Sequence, residues 1–197
     1  EVQQVAAGID RAVVNRAIEQ GTYDSGLQTI KAQSIKKVRD EVVFSDERTG
    51  AQSRFVEVDI SNPVTPSLAG FYNTTGISTG VAVEAGYAYV GDGTAGLIVI
   101  NVSTPTAPVL AGSLNTVGQA TAVEIRGNYA YVADLNGGFI IVDISNPTLP
   151  VTVGSLVPAN TSVRNVTLVG QYAYVADYLN GILVVDISSP LAPTLSS

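Results

Sequence analysis

The apolar residues of this chain fall into short runs separated by clusters of Gly, Asp, Asn, Ser and Pro. Val81–Glu84 alternates apolar and small side chains and ends at a turn on Gly86. Tyr87–Val90 is aromatic and β-branched, which suits a pleated surface. Asp92–Gly96 supplies hairpin-turn chemistry, as do Asp134–Gly138 and Asp177–Gly181. Leu97–Val102 is apolar at nearly every position, the pattern of a strand buried on both faces. The Ser103–Pro108 stretch breaks pairing, and Val109–Leu114 then forms a fourth, outer strand, where nearby proline costs little.

This arrangement recurs. Leu97-Ile98-Val99-Ile100-Asn101-Val102-Ser103-Thr104-Pro105 aligns without gaps with Phe139-Ile140-Ile141-Val142-Asp143-Ile144-Ser145-Asn146-Pro147 and with Ile182-Leu183-Val184-Val185-Asp186-Ile187-Ser188-Ser189-Pro190. Phe55-Val56-Glu57-Val58-Asp59-Ile60-Ser61-Asn62-Pro63 is an earlier copy, so the Asp/Asn position recurs at 59, 101, 143 and 186. A second signature shares the period: Tyr87-Ala88-Tyr89-Val90-Gly91-Asp92, Tyr129-Ala130-Tyr131-Val132-Ala133-Asp134 and Tyr172-Ala173-Tyr174-Val175-Ala176-Asp177. Two signatures in one register establish the repeat.

A small sheet apolar on both faces cannot stand alone and must stack on its neighbours. A unit of about 42 residues with four strands lies in the range of propeller blades; a linear solenoid is the competing stack. The sequence therefore predicts an all-β fold, a β-propeller of about four four-stranded blades with a short N-terminal helix. Residues 1–26 form an appendage in this reading, 27–66 a degenerate first blade and 67–197 the regular blades. In the worn copy Ile35–Val38 stands for the inner strand and Val42–Asp46 for the Tyr-Val-Ala-Asp strand; the last outer strand, Pro193–Ser197, is short. The helix is expected over residues 2–20, where Val5, Ile9, Val13 and Ile18 lie near helical spacing and Gly21 is a stop.

Composition narrows the chemistry. Cys, His, Met and Trp are all absent, which excludes disulfides, thiolate nucleophiles, Ser-His-Asp constellations and ordinary transition-metal sites. The net charge of −7 sits entirely in residues 55–197, where only Arg126 and Arg164 face nine acids. Such a body cannot neutralise a phosphate backbone or an anionic bilayer, so nucleic acid is not an expected partner and no membrane span is expected. No basic start followed by an apolar stretch occurs, a pattern shared by a mature secreted chain.

Carboxylate chemistry and oxygen-ligated cations remain. Asp92, Asp134 and Asp177 stand at equivalent strand ends beside Gly, Tyr or Leu and are weak candidates for calcium; the same residues are what tight turns require. Asp59, Asn101, Asp143 and Asp186 precede a Ser-x-Pro bend and are expected to accept backbone N–H bonds there. The repeated tyrosines could stack on sugars, but residues used in every unit read as a packing code. Glu84, Glu124, Arg126, Arg164 and Asn165 break the symmetry on or beside the inner strands and are the candidates for a ligand site at a central channel. No cofactor, no metal and no catalytic residue is expected.

The Val-Val-Asp-Ile-Ser-x-Pro core with the Tyr-Ala-Tyr-Val-Ala-Asp strand resembles the LVIVD-repeat family over residues 54–197. That resemblance implies a propeller fold in secreted or surface-attached bacterial or archaeal chains, and it implies no reaction. The expected function is a non-enzymatic, extracellular or cell-surface structural or adhesive module. It would self-associate as a homo-oligomer or filament through open blade edges or the N-terminal segment, with other surface proteins or glycans as further partners. The alternative is a closed propeller that binds a small ligand or glycan at its channel.

Overall fold

The structure, a computed structural model, describes residues 31–38, 41–47, 53–59, 61–62 and 67–196, the first two stretches by backbone alone. The helix expected over residues 2–20 lies outside them. Among the described residues, sixteen strands form four antiparallel four-stranded sheets, each a simple meander in chain order. Sheet 1 comprises β1 (Lys31–Val38), β2 (Glu41–Glu47), β3 (Arg54–Asp59) and β4 (Ser67–Asn73). Sheet 2 follows with β5 (Gly80–Glu84), β6 (Tyr87–Gly91), β7 (Leu97–Asn101) and β8 (Val109–Leu114). β9 (Ala122–Arg126), β10 (Tyr129–Ala133), β11 (Phe139–Asp143) and β12 (Val151–Leu156) make sheet 3. Sheet 4 contains β13 (Val163–Val169), β14 (Tyr172–Asp177), β15 (Gly181–Asp186) and the two-residue β16 (Thr194–Leu195).

Local chemistry sets the hairpins. Ala85 and Gly86 link β5 to β6 with φ of 50° and 81°, the doubly left-handed geometry that matches strand twist. After β6, the Asp92 N–H donates to the Gly96 carbonyl and the Gly96 N–H to the Gly93 carbonyl. Asp134–Gly138 repeats this turn before β11.

Packing between sheets makes the core. Each sheet has a front face, turned toward the next sheet in the chain, and a back face. Phe55 on the front of sheet 1 packs on Val81, Ala88, Val90, Ile98 and Ile100. Tyr89, Leu97 and Val99 on the front of sheet 2 pack on Val123, Ala130, Val132, Ile140 and Val142. Tyr131, Phe139 and Ile141 on the front of sheet 3 pack on Val166, Ala173, Val175, Leu183 and Val185. Full burial of one such side chain contributes about 1.5–3 kcal/mol. The innermost strands β1, β5, β9 and β13 neighbour one another in succession, a propeller-like order. Among the described residues, β13 has no packing on β1 comparable to that of β1 on β5.

The outer strands carry a device that the sequence pattern does not announce. The register of β3–β4, β7–β8 and β11–β12 slips by one residue at Ala69, Ala111 and Val153. Such a bulge bends the strand. The next residue is glycine each time (Gly70, Gly112, Gly154), and the proline loop of the following sheet lies directly against it. A methyl group on Gly112 would sit 2.5 Å from the Pro147 carbonyl oxygen. Gly112→Val is therefore expected to destabilise the chain by about 1–3 kcal/mol, read as a lower urea midpoint, while Val117→Ser on an exposed loop leaves the midpoint unchanged.

Candidate functional site

The repeated acids are consumed by the fold. Asp92 accepts hydrogen bonds from the Gly76 N–H at 2.8 Å and the Ser78 hydroxyl at 2.6 Å. Asp134 does the same with the Gly118 N–H at 2.8 Å and the Thr116 hydroxyl at 2.6 Å. Asp177 receives the Thr161 hydroxyl, the Ser162 and Leu179 N–H groups and the Asn180 side-chain amide. In sheets 2, 3 and 4 this carboxylate anchors the segment arriving from the previous outer strand, so it fixes how one sheet follows another. Both oxygens of each carboxylate already accept from protein donors. Among the described residues no three metal-ligating side chains gather.

Asp59, Asn101, Asp143 and Asp186 accept the N–H of Ser61, Ser103, Ser145 and Ser188 at 2.8–2.9 Å. The bend before the outer strand is thus pinned identically by carboxylate and by amide. These bonds hold the Asp59, Asp143 and Asp186 carboxyls below their ordinary range.

The symmetry-breaking polar residues do not form one site. The Thr121 hydroxyl donates to the Arg164 carbonyl, so the starts of β9 and β13 are adjacent. Arg126 donates to the Gly170 carbonyl, which places their far ends together. Five strand residues, roughly 16 Å, therefore separate Arg126 from the end where Arg164 and Asn165 lie. Glu84 ends β5 and is exposed, whereas Glu124 is half-buried in the middle of β9 opposite Tyr131. The Arg164 guanidinium lies instead over the Tyr178 ring, 5.1 Å from its centroid.

A different surface stands out once the sheets are compared. Leu97, Phe139 and Ile182 occupy one position of the repeat, and Tyr89, Tyr131 and Tyr174 another. The first two of each set are at most 3 % exposed, whereas Ile182 is 65 % and Tyr174 41 % exposed. Val184, the counterpart of the buried Val99 and Ile141, is partly open too. Exposed Val169 and Tyr178 extend this patch. Tyr178 takes the place of Gly93 and Leu135, whose backbones pair with Ala120 and Val163 of the following sheet. The front of sheet 4 therefore carries the side chains of a sheet–sheet interface with none of the described residues stacked on it. No local sequence signal reveals this, because residues 172–186 spell the same code as the covered repeats.

Fold and face together define a stacked, propeller-like repeat protein whose recurring positions are packing positions. The chain belongs to the LVIVD repeat family, whose model matches residues 51–74, 75–116, 117–157 and 161–197. No curated protein matches it. Among solved structures it is similar to the computationally designed Ika4 protein, with a TM-score of 0.62 and 14 % identity over 81 % of this chain and 92 % of that one. At that identity the likeness concerns the fold alone.

The two equivalent pins respond to pH in opposite directions. Burial raises the Asp134 pKa despite the bonds from Thr116 and Gly118. At Asp177 burial is outweighed by donors from Asn180, Thr161, Leu179 and Ser162, and the pKa falls well below the ordinary carboxylate range. Stability from Asp177 is thus present above the unfolded-state pKa and lost as pH falls toward its low folded value. That from Asp134 is full below the unfolded-state pKa and lost as pH rises through its raised value. Urea midpoints at pH 7 and pH 2 check this: the deficit of Asp177→Asn relative to the unsubstituted chain should shrink in acid, and that of Asp134→Asn should grow.

Proposed function

We propose that this chain is a non-catalytic, extracellular structural or adhesive module that works through its surfaces and self-associates. The observation that carries the reading is the open front of sheet 4, where Tyr174 and Ile182 are exposed and Val184 is partly open at positions buried in sheets 2 and 3. Contiguous apolar side chains that can be covered by association are a driving force for it. The extracellular setting follows from the settings in which LVIVD-type chains occur. A surface role is favoured over channel chemistry because Arg126 and Arg164 stand at opposite ends of the inner strands, leaving Glu84, Glu124 and Asn165 without a shared focus.

Light scattering across a concentration series tests the proposal. The mass should rise with concentration above that of a single chain, and Ile182→Lys should hold it at the single-chain value while leaving the circular dichroism spectrum unchanged. A single-chain mass at every concentration for both proteins would remove self-association.

A further inference from the structure

The two ends of the sheet stack are not alike. The front of sheet 4 is open, but the β3 part of the back of sheet 1 is not: Val56 and Val58, the counterparts of Ile98 and Ile100, are each 1 % exposed, and the exposed Phe71, opposite Val56 on the outer strand of that face, has the Arg54 guanidinium over its ring. Head-to-tail stacking of copies needs both faces free, because each contact joins the front of one chain to the back of another. Among the described residues, the positions that sheet-on-sheet stacking uses are open on β14 and β15 of sheet 4 and buried on β3 of sheet 1. An isologous contact needs only one free face, since it uses the same patch twice.

Resting on the self-association proposed above, we propose that two copies close front face to front face across a two-fold axis, giving a dimer and no filament. The composition of the face fits this pairing. Thr167, Val169, Tyr172, Tyr174, Ile182 and Val184 alternate along the three strands of the face and are uncharged; the carboxylate in the same alternation, Asp186, stands at the end of β15 in its turn to Ser188, so two acidic chains can meet there with the centre of the contact free of like charge. The open parts of Val169, Tyr174, Tyr178 and Ile182 amount to on the order of 450 Å², over half of the roughly 800 Å² that each partner gives to a standard interface. Partly open Val184 and the polar rim at Asn165 and Asn180 lie beside them. The Arg164–Tyr178 stack borders the patch and leaves that cation already placed over an aromatic ring.

The chain has no cysteine, so an introduced thiol is the only one present. Val169→Cys, Tyr174→Cys and Ile182→Cys variants should be tested singly under mild oxidation, alongside a Val56→Cys chain. A two-fold contact brings at least one of these three positions next to its own mate, and that variant should give a disulfide-linked dimer. An equimolar mixture of the Val56→Cys and Ile182→Cys chains should give no mixed product, and the light-scattering mass should level off at twice the single-chain value. A mixed product, a mass that keeps climbing, or association in which none of the three positions cross-links to itself would overturn the two-fold arrangement while leaving self-association standing. A mass fixed at the single-chain value would overturn both.

Discussion

Everything in this chain follows from the need to cover both faces of a sheet only four strands wide. A sheet built from Leu97-Ile98-Val99-Ile100 is apolar on each side, so water must be excluded from both. No single repeat can do that, and the neighbouring repeat does it instead. Leu97 and Tyr89 find Val132 and Ile140, and Phe139 and Tyr131 find Val175 and Leu183. The stack is stable because each contact is another instance of one side-chain match, and for the same reason it has ends that differ from its middle.

Stacking also demands that the chain cross from one sheet to the next at a fixed spacing. The polar repeat positions meet that demand. A buried carboxylate (Asp92, Asp134 or Asp177) holds the incoming segment, an Asx turn at Asn101, Asp143 or Asp186 sends the chain outward, and a bulge followed by glycine admits the next proline loop. The aspartates of the regular repeats are thus spent on geometry. The function proposed for the chain accordingly rests on the surfaces where the repetition stops.

How far the sequence could be read depends on the distance over which each feature is determined. Strands were legible to within about a residue in the regular repeats, as at Val109–Leu114 and Tyr87–Gly91, because a hairpin is set by its own turn residues and alternation. The Asx turns were legible because Asp143 and Ser145 are two residues apart. The Asp134 anchor was only half visible: its turn could be recognised, but its partners Thr116 and Gly118 lie 18 and 16 residues earlier. Gly112 was not visible, since its reason is Pro147 in the following sheet. Broken symmetry suggested a shared channel site for Glu84, Glu124, Arg126, Arg164 and Asn165, yet strand direction puts Glu84 and Arg126 at one end of the inner strands, Arg164 and Asn165 at the other and Glu124 between them. The open face was the least legible feature, because Ile182 differs from Phe139 only in whether a neighbour is there.

That last contrast is the central claim, and paired truncations measure it most directly. The account predicts that Leu97→Ala costs about 2–5 kcal/mol at any protein concentration. Ile182→Ala, at the equivalent position, should cost under about 0.5 kcal/mol in dilute solution, as exposed substitutions do, and gain a cost only at concentrations where chains associate. Equal losses for the two variants in dilute solution would mean that the front of sheet 4 is covered within the single chain, and would contradict the account.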